Sequence, residues 1–221
     1  MSTIIFFIVI AVAISYWWLW RQKIFSKPWT TEGTEIDLRD DIGSIGASAK
    51  TALFVFLAVV TSMFSLFISA YFMRMELNDW RPLDEPALLW FNTILLVFGS
   101  LSIHWCARAA ANSNLTVVKY TLIATGLFTG SFIYGQLVAW QQLVDAGFYL
   151  QSNPANAFFY VFTGLHGIHL LGGLVVWLRT TIRAYTGSDV EQTRLSVELC
   201  RTYWHFLLVV WIVLFALLLS T

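Results

Sequence analysis

Residues 158–173 read F-F-Y-V-F-T-G-L-H-G-I-H-L-L-G-G and, after an arginine-bearing connection, residues 203–211 read Y-W-H-F-L-L-V-V-W. Three of the four histidines of the chain, His166, His169 and His205, therefore sit in two runs that are otherwise apolar and aromatic. A histidine in a lipid-embedded helix is costly to leave unpaired, so it faces protein or trapped water and marks a candidate site. Fold and function both turn on what these imidazoles meet.

The apolar character extends along the whole chain. Hydrophobic residues are 58% of its 221 positions and charged residues 12%, far too few charges to cover a water-soluble domain of this size. Six runs of spanning length, roughly 17 to 25 residues, lie at about Thr3–Trp20, Thr51–Met73, Ala87–Ala107, Val117–Leu143, Ala157–Leu178 and Tyr203–Leu219. None contains Asp or Glu, Lys119 stands only two residues inside the fourth run, and Pro28, Pro82, Pro86 and Pro154 all fall between runs. A missing backbone donor there does no harm to a helix in lipid, so unbroken helices are expected. The fold expected is an all-α polytopic transmembrane bundle of about six spans.

Basic residues orient it. Of 13 Lys and Arg, all but Arg74 and Arg81 lie in or at the edge of three alternate connections: Arg21, Lys23, Lys27, Arg39 and Lys50; Arg108 and Lys119; and Arg179, Arg183, Arg194 and Arg201. By the positive-inside rule these connections are cytoplasmic and both termini lie outside. The first run has no basic segment before it and no small-residue cleavage site after it, so it is expected to be a retained span. The Arg21–Lys50 loop, with five acids against its five bases, divides the chain into 1–50, an N-terminal helix with a cytoplasmic loop, and 51–221, a five-helix bundle. Cys106 and Cys200 map near inner helix ends, where reduced packing thiols are expected. The formal net charge of zero excludes a basic-patch nucleic-acid role.

Small residues suggest where helices approach closely. Gly126 and Gly130 form a G-x-x-x-G, and Gly164, Gly167, Gly172 and Gly173 crowd the next run. Trp17, Trp18, Trp20, Trp105, Trp177 and Trp204 read as an inner aromatic belt, with Trp80, Trp90 and Trp140 toward the outer side. His166 and His169, three apart, project from one side of a helix within reach of one neighbour. They cannot clasp a haem between them, and with no carboxylate or reactive thiol nearby they make a poor zinc site. Interhelical hydrogen bonding is the expected role of His166, His169, His205 and Trp204, with His169 and His205 joining the last two spans at similar depth. The hydroxyls of Thr61, Ser62, Ser65 and Ser69 are expected to close onto their own helix. An independent transporter is disfavoured because no span is broken at mid-depth.

At these residues the chain resembles subunit III of the haem-copper oxidases, the cytochrome c and quinol oxidase family. The family's T-G-x-H-G-x-H-x-x-x-G is carried by Thr163, Gly164, His166, Gly167, His169 and Gly173. Its Y-W-H-F-x-x-V-V-W is carried by Tyr203, Trp204, His205, Phe206, Val209, Val210 and Trp211. Arg183 and Glu198 fall where the family places an arginine and a glutamate. The resemblance extends from about Ala52 to the end. It implies a helical subunit of a respiratory terminal oxidase, without catalytic residues, metal ligands or cofactor of its own, in a bacterial inner membrane. Haem and copper would reside in partner subunits. Its partners would be the catalytic subunit I, other oxidase subunits and phospholipid, which Arg183 and Glu198 would bind, and its role would be to stabilise the catalytic subunit with its lipid and proton environment. An accessory subunit of a bacterial nitric oxide reductase shares these expectations. Family carboxylates are replaced here by Val60 and Leu208, and one N-terminal helix joined by a polar loop is expected where the seven-helix members carry two.

Overall fold

A computed structural model describes residues 38–81, 86–186 and 190–220. Its regular structure is helical throughout: α1 (Leu38–Met75), α2 (Leu88–Ala111), α3 (Leu115–Asp145), α4 (Pro154–Thr186) and α5 (Val190–Leu219). All five are long and apolar enough to cross a membrane, α1 over Gly46–Met75 and α5 over Glu191–Leu219. The expected first span and most of its following loop lie outside the described residues. One boundary is corrected: residues 38–50, read as loop from their charged and turn-forming composition, are the first turns of α1. Hydropathy marks the lipid-embedded part of a helix and is blind to turns that continue it into water.

Each helix end has a local cause. Ser113 adopts a left-handed φ of 54° and reverses the chain, after which Asn114 caps α3 by accepting the Val117 N–H at 3.2 Å. α3 stops at Gly147, whose φ of 86° lets its N–H reach the Val144 carbonyl while Phe148 N–H reaches Leu143 at 2.9 Å. Pro154 opens α4, where its missing N–H is no loss. The amide of Asn153 holds Arg81 through both backbone groups, tying the connection after α1 to the start of α4.

Helices α2, α3, α4 and α5 form a closed ring, with α2 against α3 and α5, and α4 against α3 and α5. The α1 helix packs on the α4–α5 side. Its Tyr71 lies edge-on to Phe158 at 5.3 Å and its Phe64 faces His169 at 5.7 Å. Buried residues separate into two cores. A large one runs from Val60 and Phe64 through Phe132, Phe162 and Trp211. A smaller one at the basic end gathers Ile103, Cys106, Leu122, Val197, Cys200 and Trp204. Both cysteines are free and buried.

The glycines are not equivalent. A Cβ on Gly126 would run into the Trp177 ring, and one on Gly173 would lie 2.7 Å from Tyr203. Gly130, Gly167 and Gly172 have open space where a Cβ would stand. The expected G-x-x-x-G contact therefore reduces to Gly126, because Gly130 has rotated past the facing helix.

Candidate functional site

His166 is fully buried at the centre of the ring. Its Nε2 lies 3.1 Å from the Leu207 carbonyl on α5. A carbonyl only accepts, so Nε2 carries the proton and the neutral ring presents Nδ1 as an acceptor. The imidazole leans on Trp211 at 5.1 Å and Phe132 at 5.8 Å. Of the two motif histidines on α4, it is the His166 side chain, and not that of His169, that reaches α5.

The expected pairing of His169 with His205 is corrected. His169 Nδ1–H donates to its own helix at Leu165, 2.7 Å away, while its carbonyl accepts the Tyr203 hydroxyl from α5 at 2.9 Å. His205 faces α2 instead: Nδ1 is 2.6 Å from Ser100 Oγ and Nε2 is 3.4 Å from His104 Nδ1. Similar depth does not make similar direction, because His205 follows Trp204 by about 100° around the helix. Trp204 turns its buried face to α3 and donates from Nε1 to Thr129 Oγ1 at 3.1 Å.

Trp204 is one of four tryptophans that stitch the helices. Trp211 donates to Thr93 on α2 at 2.9 Å, Trp140 to Thr163 on α4 at 3.0 Å, and Trp177 to the Leu122 carbonyl on α3 at 3.0 Å. Sequence reading placed three of them in interfacial belts, where indoles are also common. Trp90 and Trp105, each 58% exposed, do have the lipid-facing exposure a belt requires. For the three whose acceptor is a side chain, the legible signal was a threonine at the facing depth. Interhelical hydrogen bonds in membranes average about 0.6 kcal/mol, so these four give register more than strength. The hydroxyls of Thr61 and Ser62 close onto Leu57 and Ala58 of their own helix.

At the basic end Arg183 Nη1 donates to Ser196 Oγ at 3.3 Å. Glu198 pairs with Lys50 of α1 at 3.2 Å, and Lys119 of α3 lies 4.9 Å over the Tyr185 ring of α4. Glu198 thus engages α1 and leaves Arg183 to its serine. At the other end Arg74 forks onto Asp79, and that hydrogen bond holds the Asp79 carboxyl below its usual range. Among the described residues no group of three or more His, Cys, Asp or Glu is placed to hold a metal. Asn92, which sequence reading passed over, and Gln136 are buried without hydrogen-bond partners. Asn92 also lines a groove of about 590 Å³ between α2 and α3 with Phe91, Leu127, Ser131 and Tyr134.

This arrangement is one of positioning: rings, hydroxyls and carbonyls that fix helices against each other, with the basic groups gathered at one end. The family model described as cytochrome c oxidase subunit III matches residues 2–220. The cytochrome c oxidase subunit 3 of Thermostichus vulcanus is 30% identical over 171 residues, covering 75% of this chain and 84% of the relative. That of Synechocystis is 31% identical over 169 residues, covering 74% and 71%. A probable cytochrome c oxidase subunit 3 of Nocardia farcinica is 29% identical over 157 residues, covering 68% and 76%.

Proposed function

Because the chain belongs to the cytochrome c oxidase subunit III family, we propose that it is the scaffold that holds the catalytic subunit I of its oxidase in the membrane. It is a membrane subunit of a haem-copper oxidase. The single observation that carries the scaffold role is the site itself: both family motifs are spent on contacts between helices, His166 to Leu207 and Trp204 to Thr129. Haem and copper would be held by partner chains. A tag on this chain is expected to recover a larger haem-bearing membrane protein in detergent, with haem bands unchanged when His205 is replaced by Phe. Recovery without haem, or a shifted band in the variant, would overturn the reading.

The orientation proposed puts the ends bearing Lys50, Arg108, Lys119 and Arg183 in the cytoplasm of a bacterial inner membrane and the C-terminus outside, with a sixth span before α1 placing the N-terminus outside as well. Supporting it, the Lys50–Glu198 and Lys119–Tyr185 contacts gather those ends on one side of the bundle, as the positive-inside rule requires. Cysteines introduced at Ser113 and Ser152 should react with an impermeant thiol reagent from opposite sides, Ser152 from the periplasm. Labelling of both from one side would sink the orientation. Arg183 and Glu198, flanking this basic surface, are proposed to hold an anionic phospholipid. Each base near anionic headgroups contributes about 1 kcal/mol, and Glu198, paired with Lys50, would fix the wall of the site and not Arg183 itself.

A further inference from the structure

Besides Trp80 Nε1 and Asn156 Oδ1 near the helix ends, the buried hydrogen-bonding atoms that meet no partner among the described residues belong to three side chains: both amide atoms of Asn92, both of Gln136, and Nδ1 of His166. Asn92 and His166 are 0% exposed and Gln136 is 7% exposed. Their burial keeps bulk solvent from satisfying them, and buried polar groups of this kind are normally paired.

Contacts around the three place them together. The Asn92 amide from α2 lies so close over Gly135 that a Cβ there would collide with it, and Gln136 is the next residue. On α3, Gln136 stands one turn beyond Phe132 and one turn before Trp140. Phe132 touches the His166 ring at 5.8 Å, and Trp140 donates to Thr163, one turn before His166 on α4. The two contacts bracket both residues, so Gln136 faces the turn of α4 that carries His166. Asn92 approaches from the α2 side.

The atoms also complement one another. With the Nε2 proton committed to Leu207, Nδ1 is an acceptor, as are the two amide carbonyls, and the two amide NH2 groups are the only donors among them. A water molecule brings two O–H donors and two acceptor lone pairs. It can give one O–H to Nδ1 and one to an amide carbonyl while receiving an N–H from each amide. None of the three residues is charged, so a neutral molecule of this size suits the group and an ion does not. We infer that Asn92, Gln136 and His166 form a binding site for ordered water at the centre of the bundle, joining α2, α3 and α4 and, through Leu207, α5.

A map of the intact oxidase complex at a resolution that shows ordered water tests this. The result expected is at least one water within hydrogen-bond distance of His166 Nδ1 and of the Asn92 or Gln136 amide. Direct contact of the Gln136 amide with both Nδ1 and Asn92, with no water between, would overturn it. In the Gln136→Leu complex the water should be lost. Water at unchanged occupancy in that variant would remove Gln136 from the site and overturn the three-residue assignment.

Discussion

Gly126→Ala is expected to destabilise the contact between α3 and α4 by about 1–3 kcal/mol, the usual cost of forcing extra carbon into a filled interior. The added methyl would stand inside the Trp177 ring. That ring is not free to move aside, because its Nε1–H is bonded to the Leu122 carbonyl one turn away, so it lies across the surface of α3 from Leu122 to Gly126. In lipid, helices are held by such close packing and not by exclusion of water, so a ring pushed off its seat loses most of what joins the pair. Gly172→Ala is the matched control: it makes the same chemical change on an exposed face with open space around it. Both variants gain the same helix propensity, roughly 0.5–1 kcal/mol, so their difference isolates the clash. Thermal dissociation of the subunit from the detergent-solubilised complex should occur at lower temperature for Gly126→Ala and not for Gly172→Ala. Equal behaviour of the two would show that Trp177 is not seated on Gly126.

The number and order of the described helices were legible because each must carry a long apolar run to lie in lipid, and a run such as Thr51–Met73 has no soluble explanation. Their ends were less legible. Leu38–Lys50 is helical but reads as loop, since nothing in hydropathy distinguishes a helix continued into water from a turn. The motif residues were expected to make polar contacts, and depth alone did not identify the partners they have in the structure. A residue's direction around its helix depends on which neighbours are bulky. On α5 the buried residues Trp204, Leu207, Trp211 and Leu214 define the inward face, and His205 lies off it toward Ser100 and His104. Applied to Tyr203–Trp211, that spacing would have separated His205 from His169. The amide of Asn92 left a signal that was missed: it is the only amide side chain in the apolar run Ala87–Ala107.

Trp211→Ala should be the most damaging single substitution in the family motifs, costing about 3–5 kcal/mol, the range for deleting a large buried aromatic side chain. Its side chain is fully buried, and three other helices and a neighbour on its own helix meet it. Phe132 of α3 meets it edge-on at 4.9 Å, His166 of α4 lies at 5.1 Å, Phe215 stacks parallel at 6.2 Å, and Thr93 of α2 accepts its N–H at 2.9 Å. Removing the ring leaves a void among side chains that belong to different helices, and closing it would require those helices to shift together. Lipid does not enter to refill it, so the loss is one of dispersion contacts on every wall. Trp211→Phe separates the two parts of the effect. It keeps much of the ring and gives up the bond to Thr93, which by membrane hydrogen-bond values is worth about 0.6 kcal/mol and at most roughly 2. The fraction of complexes that retain the subunit after mild detergent washing should therefore fall sharply for Trp211→Ala and only slightly for Trp211→Phe. Loss of the same size in both would make the hydrogen bond to Thr93 the dominant contribution and would contradict the packing argument.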